Sequence, residues 1–296
     1  MLSILIPVYN YNVYPLVLEL KQQADGLGIN YEILVQDDLS QKFIIENTAI
    51  NTLSNCGYAV NNQNLGRGKN INLLCSKCSY NYVLIMEADS FPESKSYVKN
   101  YVEALSKPTS IIFGGVNYSD SIPPKEKILR WRYGINRESK SLKHRLKNNY
   151  DFVFTWNLLL KRDLLLKYPF PEFINEYGYE DLVFIKNLKL NSIAIDHIEN
   201  PLIHYNNEDN LDFIAKTETA INTLNHLISL QKIAYKDVKL SLAYLILKKT
   251  FLIGIVRFIY QKRKQQILKD LKSNNPNLYL FDFYKLGYFS SLQQSN

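Results

Sequence analysis

Two acidic pairs stand where carboxylates could do chemistry. Glu87 and Asp89 follow Tyr82 to Met86, a short apolar run of the kind that forms a core strand. Glu180 and Asp181 follow a glycine flanked by tyrosines and open a segment with apolar residues at helical intervals. Carboxylates bind divalent cations and accept protons from hydroxyl groups, so the first pair is a candidate for ligand binding and the second for a base that acts on a polyol. Helix capping and turn formation remain the structural alternatives.

The elements that must position these residues alternate short strands with helices. Leu2 to Val8 and Tyr31 to Gln36 predict buried strands, with a helical period between them. This alternation is typical of βαβ units and a largely parallel sheet. Polar pairs follow three strands of the series, namely Tyr9 with Asn10, Asp37 with Asp38, and Glu87 with Asp89. Since ligands bind at the carboxyl ends of strands in open α/β sheets, we expect these pairs to line one crevice.

Later segments predict less regular structure. Ser119 to Tyr150 is polar and basic, which predicts a mobile insertion with short helices, and Phe152 to Leu160 predicts a strand. Leu240 to Tyr260 predicts one surface-docking or packed helix. Lys248 and Lys249 near its middle argue against a membrane span, because each central charge costs about 2.5 to 3.5 kcal/mol.

Composition restricts the class of protein. The 296 residues are 46% hydrophobic and include 11 Gly, 10 Pro and 3 Cys, which excludes a disordered, collagen-like or disulfide-scaffold chain. The net charge of +7 lies in the tail, because residues 236–296 hold 11 Lys+Arg against 3 Asp+Glu. A neutral main body disfavours nucleic acid as a partner. The basic, amphipathic tail suits an anionic membrane surface, with an ordinary solvated charge run as the alternative.

The cysteines and the first residues predict a compartment. Cys75-x-x-Cys78 has no second pair at metal spacing, so we interpret both as structural thiols on a helix rather than a zinc site. The chain starts without a basic, apolar, small-residue leader pattern. Together these features predict a reducing cytoplasm, with peripheral contact at the inner membrane face.

Six ordered segments resemble family 2 glycosyltransferases with the GT-A fold, an α/β fold with a Rossmann-like, mostly parallel mixed sheet flanked by helices. They are Ser3 to Asn10, Glu32 to Ser40 with its Asp-Asp-x-Ser turn, Asn64 to Asn72, Glu87-Ala-Asp89 in place of Asp-x-Asp, Phe154 to Arg162, and Tyr177 to Leu182. The last resembles the Gly-x-x-Glu-Asp motif of a branch with galactosyltransferase-like enzymes. Two departures are Glu87 for the first Asp and Ile71 where an Arg is frequent. The resemblance covers roughly residues 1–230.

The resemblance implies a role for each matching residue. Pro7, Tyr9 and Asp38 would line the nucleotide base pocket, with Asp38 accepting from a uracil N–H. Asn64, Arg67 and Asn72 would face the nucleotide or shape its loop, and Glu87 would address the ribose or reach a metal through water. Trp156, Asn157 and Tyr179 would contact the donor sugar or the acceptor.

The resemblance also implies a set of metal ligands and a catalytic base. Asp89 and, through the resemblance, His204 would hold a divalent metal that stabilises the leaving diphosphate. A mixed Asp and His set favours Mn²⁺, with Mg²⁺ as the alternative, and His204 as a hydrogen-bonded turn residue is the structural alternative. Asp181 is the predicted base and Glu180 would hold sugar hydroxyls, although the two roles can be exchanged.

The leading hypothesis is an inverting, metal-dependent enzyme that moves a hexose or N-acetylhexosamine from a UDP-sugar to a glycan or lipid-linked acceptor. Residues 1–232 would form the catalytic domain and residues 233–296 a basic amphipathic helical extension. A catalytically silent nucleotide-sugar-binding module or scaffold is the alternative from another class. A nucleotidyltransferase is disfavoured, because Tyr9-Asn10-Tyr11-Asn12 replaces the glycine-rich phosphate loop expected after its first strand.

Overall fold

The computed structural model describes residues 1–106, 110–205 and 208–293. The chain forms two compact units. The first comprises Met1–Ser119, Arg137–Phe173 and Glu180–Tyr205. The second comprises Asp120–Asn136, Ile174–Tyr179 and the described part of residues 206–296.

The first unit contains the strands. They are β1 (Leu2–Val8), β2 (Tyr31–Asp37), β3 (Cys56–Val60), β4 (Tyr82–Met86), β5 (Ser90–Pro92), β6 (Ile111–Phe113), β7 (Val116–Tyr118), β8 (Asn157–Lys161), β9 (Asp196–His197) and β10 (Leu202–His204).

The helices are divided between the units. The first unit holds α1 (Tyr14–Asp25), α2 (Ile44–Thr48), α3 (Arg67–Lys77), α4 (Tyr97–Ala104), α6 (Leu142–Arg145), α7 (Arg162–Lys167) and α8 (Glu180–Leu190). The second holds α5 (Ile128–Tyr133), α9 (Asn210–Ser229), α10 (Lys239–Lys249), α11 (Ile253–Leu271) and α12 (Leu278–Leu292).

The seven-stranded sheet has the order β3-β2-β1-β4-β8-β6-β9. Strands β3, β2, β1 and β4 run parallel, whereas β8 is antiparallel to both β4 and β6. A smaller sheet has the order β5-β10-β7. The predicted mostly parallel mixed sheet is therefore confirmed, and the carboxyl ends of β1, β2 and β4 lie at one edge.

The central parallel strands are buried on both faces of the sheet, which explains their unbroken apolar sequences. All seven residues of β1 are buried, because neighbouring strands cover both sides and helices cover the sheet. Cys75 and Cys78 are free thiols buried at the end of α3, which agrees with their interpretation as structural residues.

Two predicted elements differ from the structure at left-handed residues. The strand expected from Phe152 begins only at Asn157, since Phe152 itself has φ +55° and interrupts extended backbone. The helix expected from Leu240 to Tyr260 is two helices, α10 and α11, separated at Phe251 with φ +61°. The segment 119–150 contains short helices, as predicted, including a π-helical turn at Gly134–Glu138.

The second unit has its own apolar core. Side chains of α5, α9, α11 and α12 form it, and its buried members are Leu129, Ile214, Tyr260, Ile267, Leu271, Phe281 and Tyr284. The predicted boundary between residues 232 and 233 falls inside this unit. Among the described helices, none combines the length and apolarity that crossing a membrane requires.

Candidate active site at the ends of β1, β2 and β4

Strand pairing brings the predicted metal ligands together. Asp89 lies in the turn after β4, and β10 pairs antiparallel with β5 so that His204 is opposite Ser90. The imidazole Nε2 of His204 lies 3.3 Å from Oδ1 of Asp89. Trp156 packs beside this pair, with its ring centroid 5.1 Å from that of His204.

Asp89 and His204 fit part of a divalent-metal site. A carboxylate oxygen with an imidazole nitrogen is a donor set that suits Mn²⁺. Within the described part of the chain, no group of three His, Cys, Asp or Glu side chains is arranged to hold a metal. Diphosphate oxygens are the kind of ligand that could complete a coordination sphere begun by this pair.

Arg67, the first residue of α3, joins the two acidic motifs. Its Nε donates to both carboxylate oxygens of Glu87 at 3.1 and 3.2 Å. Its Nη1 donates to Oδ1 of Asp181 at 2.8 Å, and its Nη2 donates to Oγ1 of Thr155 at 3.0 Å. One guanidinium thus links the carboxyl end of β4 to the start of α8.

The electrostatics of this cluster depend on burial. Burial alone lowers the pKa of Arg67, but the carboxylates of Glu87, Asp181 and Glu180 outweigh it and raise that pKa above its usual value. Burial also raises the pKa of Glu87, with a contribution from Asp89, although Arg67 opposes the change.

The two acids at the start of α8 have different surroundings. Oδ1 of Asp181 accepts from Arg67 and from the Thr155 hydroxyl at 2.5 Å, and Oδ2 accepts a longer bond of 3.3 Å from the Thr155 N–H. Oε2 of Glu180 is buried and has no hydrogen-bond partner among the described residues. Burial raises the pKa of Glu180, and the neighbouring Asp181 adds to the rise.

Asp38 organises the loop that leads into α3. Its carboxylate accepts from the Asn61 amide at 2.9 Å and from the Leu65 and Gly66 N–H groups at 2.8 Å each. Asn64 donates to the Asp38 carbonyl oxygen at 3.0 Å. Because a carboxylate offers about four acceptor positions, about one remains at Asp38 for a nucleotide base.

The remaining residues of the predicted base pocket lie at the end of β1. Pro7 is buried in that strand, and Tyr9 beyond it is exposed. The turn after β1 is fastened to the turn after β2, since Asn10 N donates to Ser40 Oγ at 2.7 Å. Gln41 N donates to Asn10 Oδ1 at the same distance.

Two of the predicted site residues, Asn157 and Asn72, form hydrogen bonds within the protein. Asn157 is fully buried and all four hydrogen-bonding positions of its amide are filled, by the hydroxyls of Tyr97 and Tyr101 and by the carbonyls of Gly115 and Asn200. This side chain supports the sheet below the site and has no donor or acceptor left for a sugar.

Asn72 is likewise engaged away from the base pocket. It donates to the Phe170 carbonyl at 3.1 Å and to Oε1 of Glu172 at 2.9 Å. Its own Oδ1 accepts from the Phe170 N–H at 3.0 Å. The amide therefore fastens α3 to the loop after α7, which is a role in shaping that part of the unit.

Tyr179 lies in the second unit, immediately before α8 begins. It has φ +68°, and burial raises the pKa of its phenol. It is the single residue between Gly178 and Glu180, so the chain has one residue where the Gly-x-x-Glu-Asp motif has two. The proposed branch of the family therefore remains a prediction.

The sequence reasoning missed two residues at the site. Thr155 holds Asp181 through both its hydroxyl and its N–H, and its only sequence signal is its place next to Trp156. Tyr11 is half-buried after β1, and burial together with the charge of Asp89 raises the pKa of its phenol. A polar residue beside a motif gives no indication of which partner it will meet.

The family follows from comparison of the sequence. The family model for glycosyl transferase family 2 matches residues 3–168, which is more than half of the chain. The chain belongs to glycosyl transferase family 2. This match includes Arg67, Glu87, Asp89 and Thr155, whereas α8 and β10 lie beyond it. No curated protein sequence matches the chain.

Solved structures of glycosyltransferases share the fold. A mannosyltransferase from Pyrobaculum calidifontis, in complex with GDP-Man and Mn²⁺, is 12% identical with a TM-score of 0.55 over 97% of this chain and 86% of its own. Mannosyl-3-phosphoglycerate synthase from Rubrobacter xylanophilus is 13% identical with a TM-score of 0.54, over 78% and 74%. S. aureus TarS 1-349 in complex with UDP-GlcNAc is 15% identical with a TM-score of 0.50, over 100% and 92%. These likenesses confirm the GT-A fold of this family 2 member.

Proposed function

We propose that this family 2 member is an inverting, metal-dependent glycosyltransferase that moves a hexose or N-acetylhexosamine from a UDP-sugar to a glycan or lipid-linked acceptor. The observation that carries the proposal is the bridge made by Arg67. It places Asp181 of α8 beside Glu87, two residues from Asp89, all within the first unit. A donor-side acidic motif and an acceptor-side acidic pair in one cluster are what a single displacement needs.

A nucleoside diphosphate sugar is the donor that the geometry suits. The remaining acceptor position of Asp38 would select the nucleotide base, and we assign it to a hydrogen bond from a uracil N–H. Structural neighbours with GDP-Man and with UDP-GlcNAc support a sugar-nucleotide donor in this fold. Asn64, which donates to the Asp38 carbonyl oxygen, would contact the nucleotide together with Pro7 and Tyr9 at the end of β1.

Asp89 and His204 would hold the divalent metal, with Mn²⁺ favoured over Mg²⁺. When bound, the metal supplies Lewis-acid stabilisation of the charge on the leaving diphosphate. Glu87 would orient the ribose while Arg67 holds its carboxylate in place. Trp156 beside His204 offers an aromatic face for the sugar.

Asp181 is the base in this proposal. Arg67 and Thr155 fix the orientation of its carboxylate through Oδ1, so Oδ2, with its single long bond to the Thr155 N–H, would accept the proton of the attacking hydroxyl. Glu180 would hold a sugar hydroxyl through its unpartnered Oε2. A buried acceptor without a partner costs stability, and a ligand hydroxyl would remove that cost.

The charge of the tail suggests where the enzyme meets its acceptor. A cytoplasmic enzyme with a basic tail at the inner membrane face could reach lipid-linked acceptors, since such tails are attracted to anionic headgroups. Residues 236–296 carry the positive charge for this contact, with 11 Lys+Arg against 3 Asp+Glu.

The test is release of UDP from a panel of UDP-sugars, followed with and without Mn²⁺ and compared with GDP-mannose. We expect one UDP-sugar to be consumed slowly by water without an acceptor, only with metal, and at a much lower rate in Asp89→Asn. Turnover that persists after chelation, or preference for GDP-mannose, would overturn the donor and metal assignments. UDP binding without turnover under every acceptor tried would favour a silent binding module.

A further inference from the structure

An exposed apolar surface lies where α10 meets α11 in the second unit. We call it the corner patch, and its members are Leu242, Ile246, Phe251, Leu252, Ile255, Phe258 and Ile259. Their exposed fractions run from 36% to 90%, with Phe251 the highest. Contiguous exposed apolar side chains of this kind mark a binding surface.

The patch follows the helical period, so it forms a face rather than scattered positions. Ile255, Phe258 and Ile259 are spaced by three and one residues, which places them on one side of α11. Phe251 and Leu252 come immediately before this helix begins at Ile253. The core of the unit uses other positions of the same helix, such as Tyr260 and Ile267. Helix α11 therefore has one apolar face packed inside and a second apolar face in solvent.

The segment that contains the patch carries charge of one sign. Residues 238–269 contain no Asp or Glu and eight basic residues, which are Lys239, Lys248, Lys249, Arg257, Lys262, Arg263, Lys264 and Lys269. Lys248 and Lys249 precede Phe251 and are exposed, as are Lys262 and Arg263 after Ile259. Exposed apolar residues flanked by cations are the composition of helices that lie on anionic membranes.

The backbone at Phe251 provides an independent observation. Helix α10 ends in a Schellman arrangement, in which Leu252 N donates to Leu247 O at 2.9 Å and Phe251 N donates to Lys248 O at 3.2 Å. The residue in the left-handed position of this motif is usually glycine, but here it is Phe251 with φ +61°. A bulky aromatic side chain is thus held in solvent at a position where it is conformationally unfavourable, which indicates a function for the ring.

We propose that the corner patch docks on an anionic lipid bilayer, with Phe251 and Phe258 inserted among the headgroups and the flanking lysines against the lipid charge. A second copy of the chain is a poorer occupant. A two-fold contact through this patch would bring two basic borders together, and like charges across an interface repel. This deepens the membrane contact proposed above, but it rests on the tail alone and requires no catalytic activity.

The experiment is co-sedimentation of the full chain with vesicles of phosphatidylcholine alone or with 30% phosphatidylglycerol. The decisive variant is Phe251→Gly, because glycine adopts the same backbone conformation without strain and the fold should be as stable or more so. We expect binding only to the anionic vesicles, weakened about tenfold by Phe251→Gly, with an unchanged or higher melting temperature. The control Ile45→Ser removes another apolar side chain, 87% exposed on α2, and should leave binding unchanged.

Three results would overturn the proposal. The first is no binding of the wild type to anionic vesicles, and the second is equal binding by wild type and Phe251→Gly. The third is a concentration-dependent dimer in sedimentation velocity that Phe251→Gly dissociates, since a second copy would then cover the patch. Because vesicle binding needs neither donor nor turnover, its failure is distinguishable from failure of the transferase assignment.

Discussion

Arg67 is the residue on which the geometry of the candidate site depends. Its guanidinium contacts Glu87, Asp181 and Thr155, and a lysine could not make these three contacts because its ammonium is a point charge. Arg67 touches other protein groups in this arrangement, so we regard it as a positioning residue. The sequence predicts that Arg67 is near the nucleotide but not that it bonds to Asp181, 114 residues further along the chain.

Glu180→Gln tests whether the buried charge of Glu180 at the start of α8 lowers the stability of the folded protein. Because the folded-state pKa of Glu180 is raised above its usual 4.5, the folded protein binds the proton more tightly than the unfolded chain does. Wild-type stability therefore falls as pH rises through the range above 4.5, whereas the glutamine variant has no such loss. We expect Glu180→Gln to be more stable by about 1 kcal/mol at pH 7.5 and equal to wild type near pH 4.

Urea unfolding at several pH values measures this difference, with the exposed Glu176→Gln as control. The control should follow the wild type at every pH. A glutamine variant that is less stable than the wild type at pH 7.5 would mean that Glu180 has a stabilising partner in the folded protein.

Several predicted site residues lie together in the structure, whereas two predicted amides bond to the protein itself. Asp89 and His204 do meet, as do the motifs of Glu87 and Asp181. Asparagine is a residue type that often binds sugars, yet the amide of Asn157 is fully hydrogen-bonded to buried tyrosine hydroxyls and backbone carbonyls. The partners of a polar side chain depend on three-dimensional packing, and residue type and spacing alone do not show them.

At the scale of elements, periodicity predicted the sheet and most helices because each strand of the parallel core is buried along its length. Periodicity did not predict the positions at which a strand or helix is interrupted. Phe152 and Phe251 adopt the left-handed conformation although neither is a residue that favours it. Such positions are imposed by surrounding structure or by function, so local propensity gives no signal for them.

Gly178 lies in the turn before α8, and we predict that the conformation of this turn requires glycine. It has φ +109°, and an added Cβ would lie 2.7 Å from the Cβ of Ala220 on α9. We expect Gly178→Ala to lower the free energy of unfolding by about 2 to 4 kcal/mol. Gly254→Ala is the matched control, since it lies within α11 with open space around it, and it should gain about 0.5 to 1 kcal/mol.

Urea midpoints of the two variants and the wild type measure both changes. Equal midpoints for Gly178→Ala and the wild type would show that the turn can adjust without loss. The functional consequence also follows, because Gly178 is two residues from the proposed Glu180 and a displaced turn should reduce turnover as well as stability.

At the scale of the whole molecule, charge and fold divide the chain in different ways. The basic excess lies in residues 236–296, and the remaining chain is close to neutral. Helices α11 and α12 nevertheless share a core with α5 and α9, through Leu129 and Ile214. A chain ending near residue 235 would lose most of that core, so point variants such as Phe251→Gly separate membrane contact from folding better than truncation does.

The proposed function depends above all on Asp181 as the base. It is tested by kcat for the consumed UDP-sugar in the wild type, Asp181→Asn and Glu180→Gln, with the exposed Asp163→Asn as control. We expect a fall of about 10²- to 10⁴-fold for Asp181→Asn, a smaller fall accompanied by a higher KM for Glu180→Gln, and no change for the control. A wild-type rate in Asp181→Asn, or a larger loss of kcat in Glu180→Gln, would contradict it.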